Sequence, residues 1–448
     1  MNRRQVLLCL SMAMCAGAQT EPQWKAGVAK VKITPAESIW MAGYAARIKP
    51  SEGVQTELYL KALALDDGSG RPAVLITSDL VGLRRQVADR IVERCEKQFG
   101  LTRDHLMINS SHTHSGPVTG ELNPRAGYES QKAVVRRYTD TLVDKAVETV
   151  GAALKQMSPA RLEFAQGFAG FAVNRRRAHA GTRGLPGPVD HDVPVLATRN
   201  ADGSLRAVVF GYACHNTALG AYQINADYAG YAQEALEKVY PNATALFVLG
   251  TGGDANPLPR YQGTDPSLIH YSLDLATMYG KILGASVDLV LHGKMKPVAG
   301  PLSTAFERVD IPFQSPPSQS ELQARLKDTD SNIRAQSERM LRAIERDGKL
   351  PAHYSYPVQV WQFGTSLTFI ALGGEVVVDY SLRLKAQHGW EDTWVAAYSN
   401  DVFAYVPSVR VLREGGYEAQ GGEGGPFGAA TEEIIIEKVN DLVRRTKH

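Results

Sequence analysis

Cysteine is scarce in this 448-residue chain, with only Cys9, Cys15, Cys95 and Cys214, and no C-x-x-C spacing occurs. That excludes a disulfide framework and a thiolate zinc site. An excess of one charge is also missing: 49 Lys and Arg stand against 47 Asp and Glu, a net charge of +2 with no basic block. The electrostatic footprint of a nucleic-acid binder is therefore lacking. Beyond the N-terminus no run stays apolar for the roughly 20 positions that a spanning helix needs. There is no internal repeat and no low-complexity tract, so fibrous roles are excluded. H-E-x-x-H, G-x-S-x-G and the P-loop do not occur, which removes support for ordinary zinc peptidases and nucleophile-elbow hydrolases. Gly250-Thr251-Gly252-Gly253-Asp254-Ala255 formally fits a dinucleotide fingerprint. However, Pro257 and Pro259 stand where the phosphate-binding helix would begin, and that use is set aside.

What is present is an ordinary globular composition, 44% hydrophobic and 21% charged. Residues 1–18 read as a signal peptide: Arg3 and Arg4, the apolar run Val6 to Leu10, then the small-x-small end Ala16-Gly17-Ala18. The adjacent arginines also fit a twin-arginine signal. A secreted or periplasmic protein is expected, with residues 22–448 as one domain. Cys9 and Cys15 would leave with the signal, and Cys95 and Cys214 read as two separate buried thiols.

Apolar β-rich runs recur at 73–77, 106–108, 207–210, 245–249, 358–363, 367–372 and 394–398. Helical patterns lie at about 83–98, 131–156, 226–239, 265–291, 318–346, 376–388 and 430–445. The alternation predicts an α/β fold: a mixed, largely covered sheet flanked by helices, with the site at strand ends. The charged stretch Arg334 to Arg346 reads as a solvated helix face. Gly415 to Gly425 reads as a loop beside a site.

The densest chemical signal is Ser110-Ser111-His112-Thr113-His114-Ser115-Gly116-Pro117, directly after an apolar strand. Residues i and i+2 of an extended chain share a side, so His112 and His114 are expected to face one point, either a metal or a metal and a proton shuttle. An exposed polar turn is the alternative. His215 ends the run through Ala213, where a structural histidine is the competing reading. Glu375 follows the run Thr368 to Leu372 and Gly373-Gly374, at a strand-to-helix junction where open sheets place ligands. Its alternative is a helix N-terminal glutamate favoured by the dipole.

Together these pieces resemble the neutral (non-lysosomal) ceramidase family. The likeness starts at Ala26-Gly27-Val28-Ala29-Lys30-Val31-Lys32-Ile33-Thr34-Pro35 and runs through Met41-Ala42-Gly43-Tyr44 and Gly53 to Tyr59. It continues through the His112 and His114 segment, Val173-Asn174-Arg175, Cys214-His215, Gly374-Glu375, Tyr405-Val406-Pro407-Ser408 and Tyr417-Glu418-Ala419. The resemblance implies one Zn²⁺ held by His112, His215, Glu375 and Tyr405, a nitrogen and oxygen donor set suited to zinc. It implies that zinc-bound water hydrolyses an amide, with His114 moving protons and Arg175 and Tyr417 steadying the oxyanion. Asn174 and Asn256 are expected to contact substrate.

Two departures from the family pattern matter. Asn256, in Gly253-Asp254-Ala255-Asn256-Pro257, stands where the family has an active-site serine, and an amide cannot be an acyl-accepting nucleophile. The change reads as a specificity switch, with a turn cap before Pro257 as the plainer reading. The chain also ends soon after Tyr417, so the family's C-terminal β-sandwich is expected to be absent. The expected substrate is a small-molecule or lipid N-acyl compound, ceramide-like or otherwise, with membrane contact peripheral at most. The alternative is a non-catalytic ligand-binding protein on the same fold.

Overall fold

Branched and aromatic residues alternating along short strands build two sheets that bury apolar faces against each other. The computed structural model describes residues 24–120, 128–176, 187–260 and 269–447. The expected signal peptide lies outside the described residues.

The first part of the chain runs through β1 (Trp24–Lys32), β2 (Tyr59–Asp66), β3 (Ala73–Ser78), α1 (Arg85–Phe99), β4 (Leu106–Ser110) and α2 (Lys132–Lys155). It continues through β5 (Ser158–Phe168), β6 (Asp192–Asn200), β7 (Leu205–Tyr212), α3 (Asp227–Val239), β8 (Thr244–Leu249), α4 (Ile269–His292) and β9 (Lys296–Val298). These strands form a nine-stranded sheet in the order β8-β7-β6-β5-β1-β2-β3-β4, with β9 pairing β5. Only β7–β8 and β3–β4 are parallel along that order. A second sheet follows, from β10 (Leu302–Pro312), β11 (His353–Phe363), β12 (Leu367–Leu372) and β13 (Thr393–Ala396) in that order. Helices α5 (Gln319–Arg325) and α6 (Ser331–Asp347) separate β10 from β11. Helices α7 (Asp379–His388), α8 (Val409–Glu414) and α9 (Thr431–Thr446) complete the chain.

The period of two sorts the layers. Ala62, Ala64, Val74, Ile76 and Ile108 pack against α1 and α2. Their neighbours Leu63, Leu65, Leu75 and Met107 face Trp361, Phe363, Phe369 and Trp394 of the second sheet. The outer face of β6–β8 lies under α3 and α4, and that of the second sheet under α9. The expected mixed sheet flanked by helices is therefore what forms, with a second sheet as an added layer. Cys95 and Cys214 are free and buried. Among the described residues no helix is long and apolar enough to cross a membrane.

The edge strands β4 and β8 approach each other, and the chain leaving β13 runs between them. Ala396 bridges to Gly250 and Ser399 to Asn109. The Asn109 amide acts as a missing ladder rung: Oδ1 accepts from Leu249 N at 2.9 Å, and Nδ2 donates to Ala397 O at 2.7 Å and Ser399 Oγ at 3.1 Å. Asn109→Ala should destabilise the protein by about 2 kcal/mol, because the buried Leu249 N–H loses its acceptor and Ala397 O keeps only the Ser399 hydroxyl. Denaturant unfolding measures this, and a change within error would show that the seam closes without the amide.

Two sequence expectations are corrected. The helix expected over 318–346 is two helices, because the Asp328 carboxylate accepts Asp330 N at 2.9 Å in a local turn that competes with helical bonding. Glu375 does not open a helix. Glu375–Val376 is a short strand, and α7 begins only at Asp379, after three consecutive valines that disfavour helix.

Candidate metal centre

β4 stops at Ser110, and His112 adopts a left-handed backbone with φ of 62°. The two histidines thus converge through a turn, not by alternation along an extended chain. The turn is pinned by His112 N bonding Leu80 O at 2.8 Å and by Thr113 Oγ1 donating to Asn225 O at 2.7 Å. His114 Nε2 ends 3.0 Å from His112 Nε2. His215 arrives from the loop after β7, held by its N–H on Ala255 O at 3.0 Å.

Glu375 and Tyr405 come from distant parts of the chain and are paired residues of one parallel two-strand ladder. Gly374 makes the approach possible: its φ is 75°, and an added Cβ would lie 2.8 Å from Ala404 O. The Glu375 Oε2 atom lies 3.1 Å from His112 Nε2 and 3.2 Å from His215 Nε2. The Tyr405 hydroxyl is 3.3 Å from His215 Nε2.

Hydrogen bonds on the far side of each ring set the tautomers. His112 Nδ1 donates to Val81 O and His215 Nδ1 donates to Gly252 O, at 2.6 Å in the second case. Both Nε2 lone pairs therefore point at the Glu375 carboxylate. Burial and then the Arg175 charge push His215 down to about 4. Burial, with the neighbouring histidines, also keeps His114 well below the ordinary imidazole value. Two neutral imidazoles, a carboxylate and a phenol oxygen with inward lone pairs fit a divalent cation such as zinc. One ring nitrogen from each of His112, His114 and His215 lies within 4.8 Å of the other two, so His114 is within reach of the same ion.

Beside this cluster sits a polar wall. Arg175 Nε donates to Glu418 Oε1 at 2.7 Å, and its guanidinium lies 5.4 Å from the Tyr405 ring and 5.9 Å from the Tyr417 ring. Arg175 Nη2 is buried without a hydrogen-bond partner. Tyr417 opens a 3-10 turn, packs 5.2 Å from the Tyr405 ring and is 53% exposed, which puts it on the rim. Asn256 is buried in the strand Ala255–Pro257, opposite Val173, and does not cap a turn. Its Oδ1 accepts from Arg175 Nη1 at 3.4 Å and from Thr217 Oγ1 at 3.5 Å. Asn174 is placed differently from expectation. Its amide protons are spent on Pro188 O at 2.8 Å and Asp254 Oδ2 at 2.9 Å, so it braces the strand that carries Arg175.

Sequence reasoning missed several participants. Tyr398, also at positive φ, packs its ring 4.5 Å from His112 at a tilt of 42° and has a buried hydroxyl without a partner among the described residues. Tyr44 meets the His114 ring edge-on at 4.8 Å, and Arg47 Nη1 donates to His114 O at 2.7 Å. Glu418 couples Arg175 to Arg176, which it accepts at 2.6 Å. Only the Tyr44 and Glu418 segments carried a signal, as parts of the resemblance quoted above. Tyr398 sits in an unremarkable apolar run.

Residues 24–255, just over half of the chain, match the family model described as neutral/alkaline non-lysosomal ceramidase, N-terminal. The stretch includes His112, His114, Asn174, Arg175 and His215; Asn256, Glu375, Tyr405 and Tyr417 lie beyond it. Neutral ceramidase A of Dictyostelium discoideum is 24% identical over 241 residues, covering 49% of this chain and 34% of that protein. Neutral ceramidase of Drosophila melanogaster is 23% identical over 287 residues, covering 57% and 38%. The chain thus matches little more than a third of the length of these relatives. The crystal structure of neutral ceramidase from Pseudomonas aeruginosa superposes with a TM-score of 0.75 at 18% identity, covering 96% of this chain and 76% of that one. At that identity the likeness speaks for the fold.

Proposed function

The chain belongs to the neutral/alkaline non-lysosomal ceramidase family, and from that premise we propose that it is a zinc-dependent hydrolase of the amide bond in an N-acylated substrate, a ceramide-like lipid or another N-acyl compound. The observation that carries this reading is the meeting of His112, His215, Glu375 and Tyr405 donor atoms at 3.1 to 3.3 Å with both imidazole lone pairs turned inward. These four residues would hold one Zn²⁺. Such an ion supplies a Lewis acid that brings water ionisation near neutral pH and polarises an amide carbonyl.

Hydrolysis adds water across the C–N bond and releases a carboxylic acid and an amine, so one proton must travel from the water to the departing nitrogen. His114 is suited to carry it. Its ring is neutral and lies beside the ligand cluster, and its Nδ1 has no hydrogen-bond partner. Arg175 is clamped by Glu418 with Nη2 unspent, and would donate to the carbonyl oxygen as negative charge develops there, with Tyr417 beside it. Asn256 would contact substrate through its amide N–H groups, since its Oδ1 is taken by Arg175 and Thr217. The leader-like residues 1–18 support a secreted or periplasmic place of work, with any membrane contact peripheral.

The test is product release from a ceramide, an N-acyl amino acid and an N-acetyl amino sugar, before and after chelation. Cleavage of at least one member, lost on chelation and restored by zinc, is expected. Stoichiometric zinc without turnover would favour a ligand-binding protein. Turnover that survives complete removal of metal would overturn the reading.

A further inference from the structure

Helix α6, the charged stretch that reads from sequence as a solvated face, packs against the loop carrying Tyr417. Gln336 Nε2 donates to Gln420 O, Met340 lies against Gly425, and Arg346 pairs with Glu423 at 3.1 Å. Arg339, three residues after Gln336 and one before Met340, shares this face. The residue is half-buried, and the Tyr417 side chain bears on its charge.

The arginines around this rim are otherwise matched to carboxylates. Arg175 and Arg176 hold Glu418 at 2.7 and 2.6 Å, Arg342 holds Glu338 at 3.6 Å, and Arg84 reaches Glu423 at 3.8 Å. Arg339 alone among them has neither an ion pair nor a hydrogen bond to any described residue. Burial, with Arg342 and Arg84 nearby, works against its charge and is only partly offset by Tyr417 and by Glu338, which is itself held by Arg342. Partly withdrawing a guanidinium from water with no carboxylate in ion-pair contact is costly unless a ligand completes it. A second cation therefore stands beside the loop that carries Tyr417.

We propose that Arg339 is a specificity-determining residue that receives a negatively charged group on the substrate, which makes the preferred substrate an acidic N-acyl compound, such as an N-acyl amino acid, ahead of a neutral ceramide. The inference rests on the hydrolase reading for its chemistry but not for its binding test. A carboxylate is the natural complement of a planar guanidinium fork, which binds it through two parallel N–H bonds. A neutral amide alcohol of the same acyl chain gains nothing from that fork.

The experiment compares two ligands with one acyl chain, N-lauroylglycine and N-lauroylethanolamine, by calorimetry and by turnover. It uses the full chain, Arg339→Gln, and Arg342→Gln as the charge control on the same helix. The acid should bind the wild type at least roughly tenfold tighter than the neutral amide, as a charged hydrogen bond allows. That preference should vanish in Arg339→Gln and persist in Arg342→Gln. Equal affinities in the wild type, or a preference untouched in Arg339→Gln, would overturn the proposal. The two readings fail separately. Acid-selective binding without cleavage of either compound would sink the hydrolase and keep the anion site, whereas cleavage without acid preference would do the reverse.

Discussion

Glu375→Ala is expected to lose bound metal and amide hydrolysis together. The Glu375 carboxylate touches both imidazole donors, at 3.1 and 3.2 Å, and it brings the negative charge that a divalent ion needs in a buried place. Alanine leaves two imidazole rings and a phenol whose proton is held by burial. Turnover should fall on the order of a thousandfold or more, since Lewis-acid activation is lost with the ion. Elemental analysis of the purified variant beside the product assay reads both quantities. The fold should survive, because Glu375 joins its ladder through backbone atoms: its N–H bonds Ala404 O at 2.9 Å. A variant that retains a full equivalent of zinc would show that Glu375 is not a ligand.

The largest loss of stability is expected from Asp254→Ala. This buried carboxylate accepts from Val378 N at 2.9 Å, Asn174 Nδ2 at 2.9 Å and Arg410 Nη2 at 3.3 Å. Through its own carbonyl the residue also receives Arg175 N at 2.8 Å. One residue therefore ties together the strand before Arg175, the segment after Glu375 and helix α8. Burial raises the Asp254 pKa, and the Val378, Asn174 and Arg410 partners oppose that rise. Removing the carboxylate strands several buried donors and should cost about 3 to 5 kcal/mol. Denaturant unfolding with an unchanged slope would report it, and zinc affinity should weaken as the Glu375 segment loosens. A loss below about 1 kcal/mol would mean that Arg410, which also holds Asp379 at 2.7 Å, rearranges to cover the gap.

The strands that the sequence made legible are those with unbroken apolar runs, such as β4, β8 and β12. Those it hid carry polar residues at buried positions. β2 contains Lys61, buried because Gln233, Glu237 and Ala245 O receive its ammonium, and β6 contains the buried Thr198 besides a strand-breaking Pro194. A pattern rule cannot see a partner 172 residues away. The site divides in the same manner. His112 and His114 announce themselves by spacing, although the turn that joins them is of a kind the spacing did not foretell. Glu375 had a local signal, but its neighbour Tyr405 had none apart from the family resemblance.

By itself the sequence determined the alternation of strands and helices, the paired histidines after β4 and the order of family motifs. These depend on side-chain period and on residues close in the chain. Tertiary structure alone decided the second sheet, the seam through which the chain after β13 reaches between β4 and β8, and the ladder that sets Glu375 beside Tyr405. It also decided which arginine stands without an ion pair: Arg334 to Arg346 is one charged run in sequence, and only packing against the Tyr417 loop separates Arg339 from its neighbours Arg342 and Arg346, which are paired. The physical reason is common to all of these. Lone-pair direction and charge compensation are properties of points in space, and they are set by contacts between segments whose separation along the chain no local rule spans.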